Sequence, residues 1–222
     1  MPNYTWNVIK ANKEVIKGLL DNKGNFSFQT LVPVPKELEI TTSGGIVDEL
    51  VCLYILENFK YKDVKANADT IFKGFGTYRI DLNKTKKENI KVIQERLDGR
   101  TVDVIKDGWG EDAKVLREVS GKEYYDLQQK YGYHDWYSYH NEKWGTKWDA
   151  FEVDIDDNEI HFTTAWAAPF PIFEKICEMF PQEEITFEAE YEDNWFVAAE
   201  NNEGHLLITE EHEMHEIDEE VI

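Results

Sequence analysis

The chain opens with a period of two. Tyr4, Trp6 and Val8 alternate with Thr5, Asn7 and Ile9, which predicts a strand over Tyr4–Lys10. The period then lengthens. Asn12 is placed to cap a helix whose Val15, Ile16, Leu19 and Leu20 share one face, and Lys23-Gly24-Asn25 closes it. Phe26–Val32 is expected to be a second strand, stopped by Pro33 and Pro35, so the first 35 residues read β-α-β.

After the small polar link Thr41–Gly45 the pattern turns helical. Val47, Leu50, Val51, Tyr54 and Ile55 predict a buried helix, Asp69–Lys73 a shorter one, and Lys84–Leu97 an amphipathic one closed by Asp98-Gly99. Ala113–Val119 and Glu123–Tyr131 are two more helix candidates. The block 46–135 is thus expected to be a helical insertion.

Alternation returns in the last third. Phe151–Ile155 and Ile160–Trp166 read as strands joined by a turn at Asp156-Asp157-Asn158. Pro169 and Pro171 open a helix striped with Phe170, Phe173, Ile176, Cys177 and Phe180. Ile185–Tyr191, Asn194–Glu200 and Leu206–Thr209 complete the strands, and residues 210–222 are expected to form a frayed acidic tail. Glu152, Asp154, Glu188 and Glu190 fall on the polar phase of their strands, which predicts a sheet with one face on helices and one face acidic and wet.

Charge sharpens this reading. The 222 residues carry a net charge of −21. Residues 1–147 hold 23 basic and 22 acidic side chains; residues 148–222 hold one basic, Lys175, and 23 acidic. An acidic surface opposes direct nucleic-acid binding, which needs cations to neutralise phosphates, and it opposes anionic membranes for the same reason. RNA-reading sheets of similar topology expose aromatic and basic residues, and this face has the wrong sign. Met1–Trp6 has no signal-peptide pattern and no apolar run approaches 18 residues, so a cytoplasmic location is expected.

Candidate chemistry is sparse. Of seven Trp, four (136, 144, 148 and 166) lie close together in sequence. Trp144, Gly145, Thr146, Lys147 and Trp148, with Thr164 and Trp166, could line a stacking pocket for a sugar or base; the packing alternative is an aromatic corner with Gly145 at a close approach and Lys147 paired to a carboxylate. Asp154-x-Asp156-x-Asn158 begins like a calcium loop, but Glu159 and Ala165 occupy the positions that need Gly and Glu, so a hairpin turn is the better reading. His212 and His215 would share a face if helical, yet a solvated tail accounts for them, and no metal or cofactor is expected. Cys52 and Cys177 sit in apolar patterns as inert thiols. No serine sits in a nucleophile elbow and neither glycine pair forms a phosphate loop, so catalytic residues stay unassigned.

Several of these segments resemble a known family. Met1-Pro2-Asn3-Tyr4 with Asn7, the Val-Pro-Val-Pro-Lys-Glu-Leu stretch ending at Leu38, Trp144-Gly145-Thr146-Lys147-Trp148-Asp149-Ala150, and Phe162–Trp166 followed by Pro169 and Pro171 are similar to the YubB-type proteins, an uncharacterised group of bacteriophages, plasmids and bacteria with a ferredoxin-like domain. The resemblance implies a βαββαβ sandwich and a phage or mobile-element setting. It supplies no catalytic residues, and two cysteines cannot hold an iron–sulfur cluster.

The expectation is therefore an α+β chain: a ferredoxin-like antiparallel sheet with helices on one face, built from residues 1–45 and 136–209, interrupted by 46–135 and followed by the tail 210–222. Two functions fit. One is a non-enzymatic interaction protein whose Glu152, Asp154, Glu188 and Glu190 meet a basic protein, possibly by imitating nucleic acid. The other is a small-ligand binder or enzyme using the Trp144–Trp148 and Thr164–Trp166 segments.

Overall fold

A computed structural model describes residues 3–42, 44–75, 79–107 and 114–214. The chain divides into two compact units, one made of residues 1–34 and 140–222, the other of 35–139.

The first unit begins with β1 (Tyr4–Ala11) and α1 (Lys13–Leu19). Asn12 caps α1 as expected, its Oδ1 accepting from the backbone N–H groups of Glu14 and Val15. The expected strand Phe26–Val32 does not form. Ser27 instead caps a single helical turn, α2 (Phe28–Leu31), which buries Phe28 and Leu31 on one side. Asp149 holds this turn from far along the chain, accepting from Ser27 Oγ at 2.5 Å and from the Phe28 N–H at 2.7 Å. The β-α-β reading of the first 35 residues is thereby corrected to β-α-α.

The second unit is mostly helical: α3 (Lys36–Glu39), α4 (Val47–Asn58), α5 (Tyr61–Ala66), α6 (Ala68–Ile71) and α7 (Lys86–Leu97), the last opened by a capping box between Thr85 and Glu88. Ala113–Val119, expected as helix, is corrected to strand. β2 (Val102–Asp107) and β3 (Lys114–Ser120) form an antiparallel hairpin in which Val119 is buried while Val115 and Leu116 stay exposed. Apolar residues at 115, 116 and 119 imitate a helical stripe, yet only Val119 reaches the core. Ala113 itself lies outside the described residues. α8 (Gly121–Tyr131) follows directly. Its first residue meets α4 so closely that a Cβ on Gly121 would lie 2.1 Å from the Leu50 carbonyl oxygen. Leu50, Val51, Ile55, Phe72, Ile93 and Tyr124 form the core of this unit.

α9 (Trp136–Lys143) leads back to the first unit, where β4 (Phe151–Ile155), β5 (Glu159–Ala165), α10 (Phe170–Met179), β6 (Ile185–Tyr191), β7 (Trp195–Asn202) and β8 (His205–Glu213) follow. The six-stranded sheet has the order β4-β5-β1-β6-β7-β8 and is antiparallel at every pairing. β1, α1, β4, β5, α10 and β6 thus give a βαββαβ core, with β7 and β8 added beside β6. Glu210–Glu213, expected in the acidic tail, extend β8 instead.

The helices pack on one face. Phe173 of α10 stacks on Phe187 at 4.6 Å between ring centres, over Ile9, Ile160 and Phe162. The two helices also come close to each other at Gly18 of α1, where a Cβ would lie 2.7 Å from the ring of Phe180.

Two outcomes follow from the packing of the second unit. Gly121→Ala drives a methyl into the Leu50 carbonyl, and chemical denaturation is expected to show a loss of about 1–3 kcal/mol, the usual cost of overpacking. His134 is half-buried, its ring 4.7 Å from Phe75 and its Nδ1 3.0 Å from Gln128 Oε1. Burial lowers its pKa from 6.5, against the opposing pull of Asp135 and Asp48. The unfolded chain therefore takes up this proton first as pH falls. Stability is expected to be unaffected by His134 well above pH 6.5 and to decline below it, and His134→Gln should flatten that part of a denaturation-versus-pH profile.

Candidate functional site

The phase of β1 decides what the sheet shows to solvent. Both phases of Tyr4–Lys10 contain apolar residues, and the one turned to the helices is Thr5, Asn7 and Ile9, at 0, 1 and 0 % exposure. Asn7 is satisfied there through its Nδ2 alone; among the described residues its Oδ1 and the neighbouring Thr5 Oγ1 are buried without a hydrogen-bond partner. The Asn7 Nδ2 donates to the Thr5 carbonyl at 2.9 Å and to Thr164 Oγ1 at 2.9 Å, with the Phe162 carbonyl at 3.4 Å. Trp6 is consequently turned outward and is 46 % exposed.

Residues directly opposite across antiparallel strands share a face. Trp6 lies opposite Thr163 on β5 and Glu190 on β6, and Glu190 lies opposite Phe196 on β7. One row of the face turned away from the helices therefore reads Thr163, Trp6, Glu190, Phe196, with Thr163 itself covered. The next row reads His161, Val8, Glu188, Ala198, with Asp154 beside His161 on β4. Tyr4 and Phe151 add an edge-to-face pair at 5.8 Å near the row of Trp6. The face thus interleaves aromatic rings with carboxylates, which corrects the expectation of a purely acidic, wet surface. Sequence reasoning passed over Trp6 and Phe196 as site residues; the alternation in β1 was a signal, but it did not say which phase faced out.

The four carboxylates expected to meet a partner divide by environment. Asp154 and Glu190 are exposed; Glu188 is half-buried and binds Lys10 Nζ at 2.6 Å, a hydrogen bond that raises the lysine pKa. Glu152 sits at a register shift in β4 with φ +51°, and its Oε2 accepts from Thr163 Oγ1 at 3.2 Å. β4 and β6 are separated by β5 and β1, so these acids span about 14 Å at the usual strand spacing.

The tryptophan segment divides too. Trp144 is buried, donating Nε1–H to the Val32 carbonyl at 2.9 Å and stacking on His140 at 3.7 Å. Gly145 takes φ +79°, and a Cβ there would lie 2.7 Å from Pro171 Cδ. Thr146 and Thr164 are buried and donate to the carbonyls of Trp148 and Ala167. These four residues form a packed corner. Lys147, Trp148 and Trp166 lie outside it: Lys147 Nζ is 4.6 Å from the centre of the Trp148 ring, Trp148 is 41 % exposed, and Trp166 is 57 % exposed with φ +75°. Cavities of about 570 and 440 Å³ occur at the opposite end of the sheet, the larger between α1 and the β4–β5 turn, where Lys13 pairs with Asp157 at 2.7 Å. The Asp154-x-Asp156-x-Asn158 stretch is that hairpin turn.

Among the described residues, no group of His, Cys, Asp and Glu could hold a metal ion. His212 lies in β8 and not in a helix or a solvated tail; His215 lies outside the described residues. Burial pushes both cysteine thiols up to about 12, which suits packing and not nucleophilic attack. No helix among the described residues is long and apolar enough to cross a membrane.

The sheet order and the two helices on one face define a ferredoxin-like α+β domain. In comparison with known proteins, residues 139–221 match the model of the ferredoxin-like domain in Api92-like protein. Among solved structures, the crystal structure of a protein api92 from Yersinia pseudotuberculosis aligns over 97 % of this chain and 99 % of its own, at 8 % sequence identity and a TM-score of 0.40. No curated protein matches.

The contrast among the tryptophans has a direct readout. Trp144→Phe is expected to remove a blue-shifted, poorly acrylamide-quenchable part of the fluorescence and to lower stability by about 1–2 kcal/mol through the lost indole hydrogen bond. Trp166→Phe should remove a quenchable, red-shifted part and leave stability within about 0.5 kcal/mol.

Proposed function

We propose that this chain is a non-enzymatic binding protein that uses the open face of its sheet to hold a basic segment of a partner protein. The observation that carries the reading is the row Trp6, Glu190, Phe196, with Asp154 and Glu188 one row away. Carboxylates attract and orient cationic side chains, while exposed rings offer them faces and cover their aliphatic stems. The charge of residues 148–222 extends the attraction, since long-range fields of one sign raise encounter rates. A partner that ordinarily holds nucleic acid would meet dense carboxylates in place of phosphates. The resemblance to YubB-type proteins further suggests a phage or mobile-element setting, with the protein at work in the cytoplasm.

A fluorescein-labelled dodecapeptide of alternating Arg and Lys tests this by anisotropy at low salt. Binding is expected to weaken about tenfold in Asp154→Asn/Glu188→Gln/Glu190→Gln, from roughly 0.5 kcal/mol at each of the exposed Asp154 and Glu190 and a similar loss where Glu188→Gln releases the Lys10 cation onto the face. It should also weaken as salt is raised. Absence of binding, or unchanged affinity in the triple variant, would overturn the proposal. A second reading, a ligand site at Trp148 and Trp166, draws on the exposed Trp166 ring held on left-handed backbone. A loss of binding in Trp148→Ala/Trp166→Ala with none in the triple variant would favour that site instead.

A further inference from the structure

We infer that the open face selects arginine over lysine, with the guanidinium taken up by the Trp6–Glu190 pair. The inference rests on the basic-segment reading above and names the side chain it recognises.

Most polar groups on this face are already engaged. Glu188 holds Lys10 at 2.6 Å, Glu159 holds His161 at 2.9 Å, and Glu152 accepts from Thr163. Glu190 and Asp154 differ: both are exposed, and among the described residues neither side chain has a hydrogen bond or ion pair. Asp154 lies opposite His161, whereas Glu190 has an aromatic residue opposite it on each side, Trp6 on one and Phe196 on the other. Opposed Cβ atoms in such pairs are about 4.5–5.5 Å apart. The uncommitted carboxylate is therefore flanked by two rings, one of them nearly half exposed.

That arrangement discriminates between the two cations. A guanidinium is planar and weakly hydrated, so it can lie on the Trp6 indole while its N–H fork meets both oxygens of Glu190. A lysine ammonium is a compact, strongly hydrated charge. It can reach the same carboxylate, but it offers the ring no flat partner and the carboxylate no fork. An anionic ligand is opposed by the surrounding acids. A metal ion would find one carboxylate here, and no metal-holding group exists among the described residues.

The test compares fluorescein-labelled nona-arginine and nona-lysine, titrated by anisotropy into the full chain at about 50 mM salt. Nona-arginine is expected to bind about 5–10-fold tighter, as ring stacking and a bidentate contact together imply. Trp6→Leu should bring the two peptides within about twofold by weakening nona-arginine alone, since the charge term is untouched. Glu190→Gln should weaken both peptides and reduce the ratio; it reads the same pair from β6 if Trp6→Leu fails to fold, as circular dichroism would show. Equal binding of the two peptides, or a preference that survives both substitutions, overturns the inference and leaves the basic-segment reading standing. Absence of binding by either peptide removes that reading and this one with it.

Discussion

β1 is hydrogen-bonded on both sides, to β5 and to β6, and it carries Asn7 at 1 % exposure on its helix-facing side. An amide buried without partners costs several kcal/mol, so Asn7 tolerates only a register that offers it acceptors. The observed register provides the Phe162 carbonyl and Thr164 Oγ1 to the Asn7 Nδ2, which also donates to the Thr5 carbonyl of its own strand. A slip of one residue would move Ile9 to solvent, bury Trp6 and Val8, and strip Asn7 of its two cross-strand contacts. The arrangement of the open face follows: Trp6 faces out because Asn7 faces in, and Glu190 and Phe196 line up with Trp6 because β6 and β7 pair in step with β1.

The rest of the first unit supports that strand. α1 and α10 cover Ile9, Phe162 and Phe187 and approach each other at Gly18. Trp144, anchored to the Val32 carbonyl, fills the corner beside Phe28, and Asp149 ties that corner to α2. The motif Trp144–Trp148 reads as a chemical signature in sequence, yet half of it is this anchoring. Its buried members keep the end of the sheet in place, and its exposed members, Trp148 with Lys147, form a cation–ring contact on the surface.

Elements with one dominant period were legible. α4, α7, α8 and α10 each place several apolar residues on one stripe, and β4 and β6 alternate, so burial and local geometry agree. The misread segments are short and locally ambiguous. Phe26–Val32 carries apolar residues that suit either period, and the choice fell to Ser27 and to Asp149, more than a hundred positions away. Residues 114–120 look helical by spacing, but pairing with β2 takes up their backbone groups. In the candidate site, Asp154, Glu188 and Glu190 were recognisable because charge marks the wet phase of a strand. Trp6 was not, because an aromatic residue fits either phase.

By itself, the sequence determined the class of the protein, the placement of most helices and strands, and the concentration of acid after residue 147. These are properties of composition and of short-range period, and they need no distant contact. Tertiary structure decided which face of β1 meets water, which strand completes the βαββαβ core, and which tryptophans are structural. Each of those choices depends on residues far apart in the chain satisfying one another's hydrogen bonds and filling one another's space, and periodicity within a segment carries no information about that.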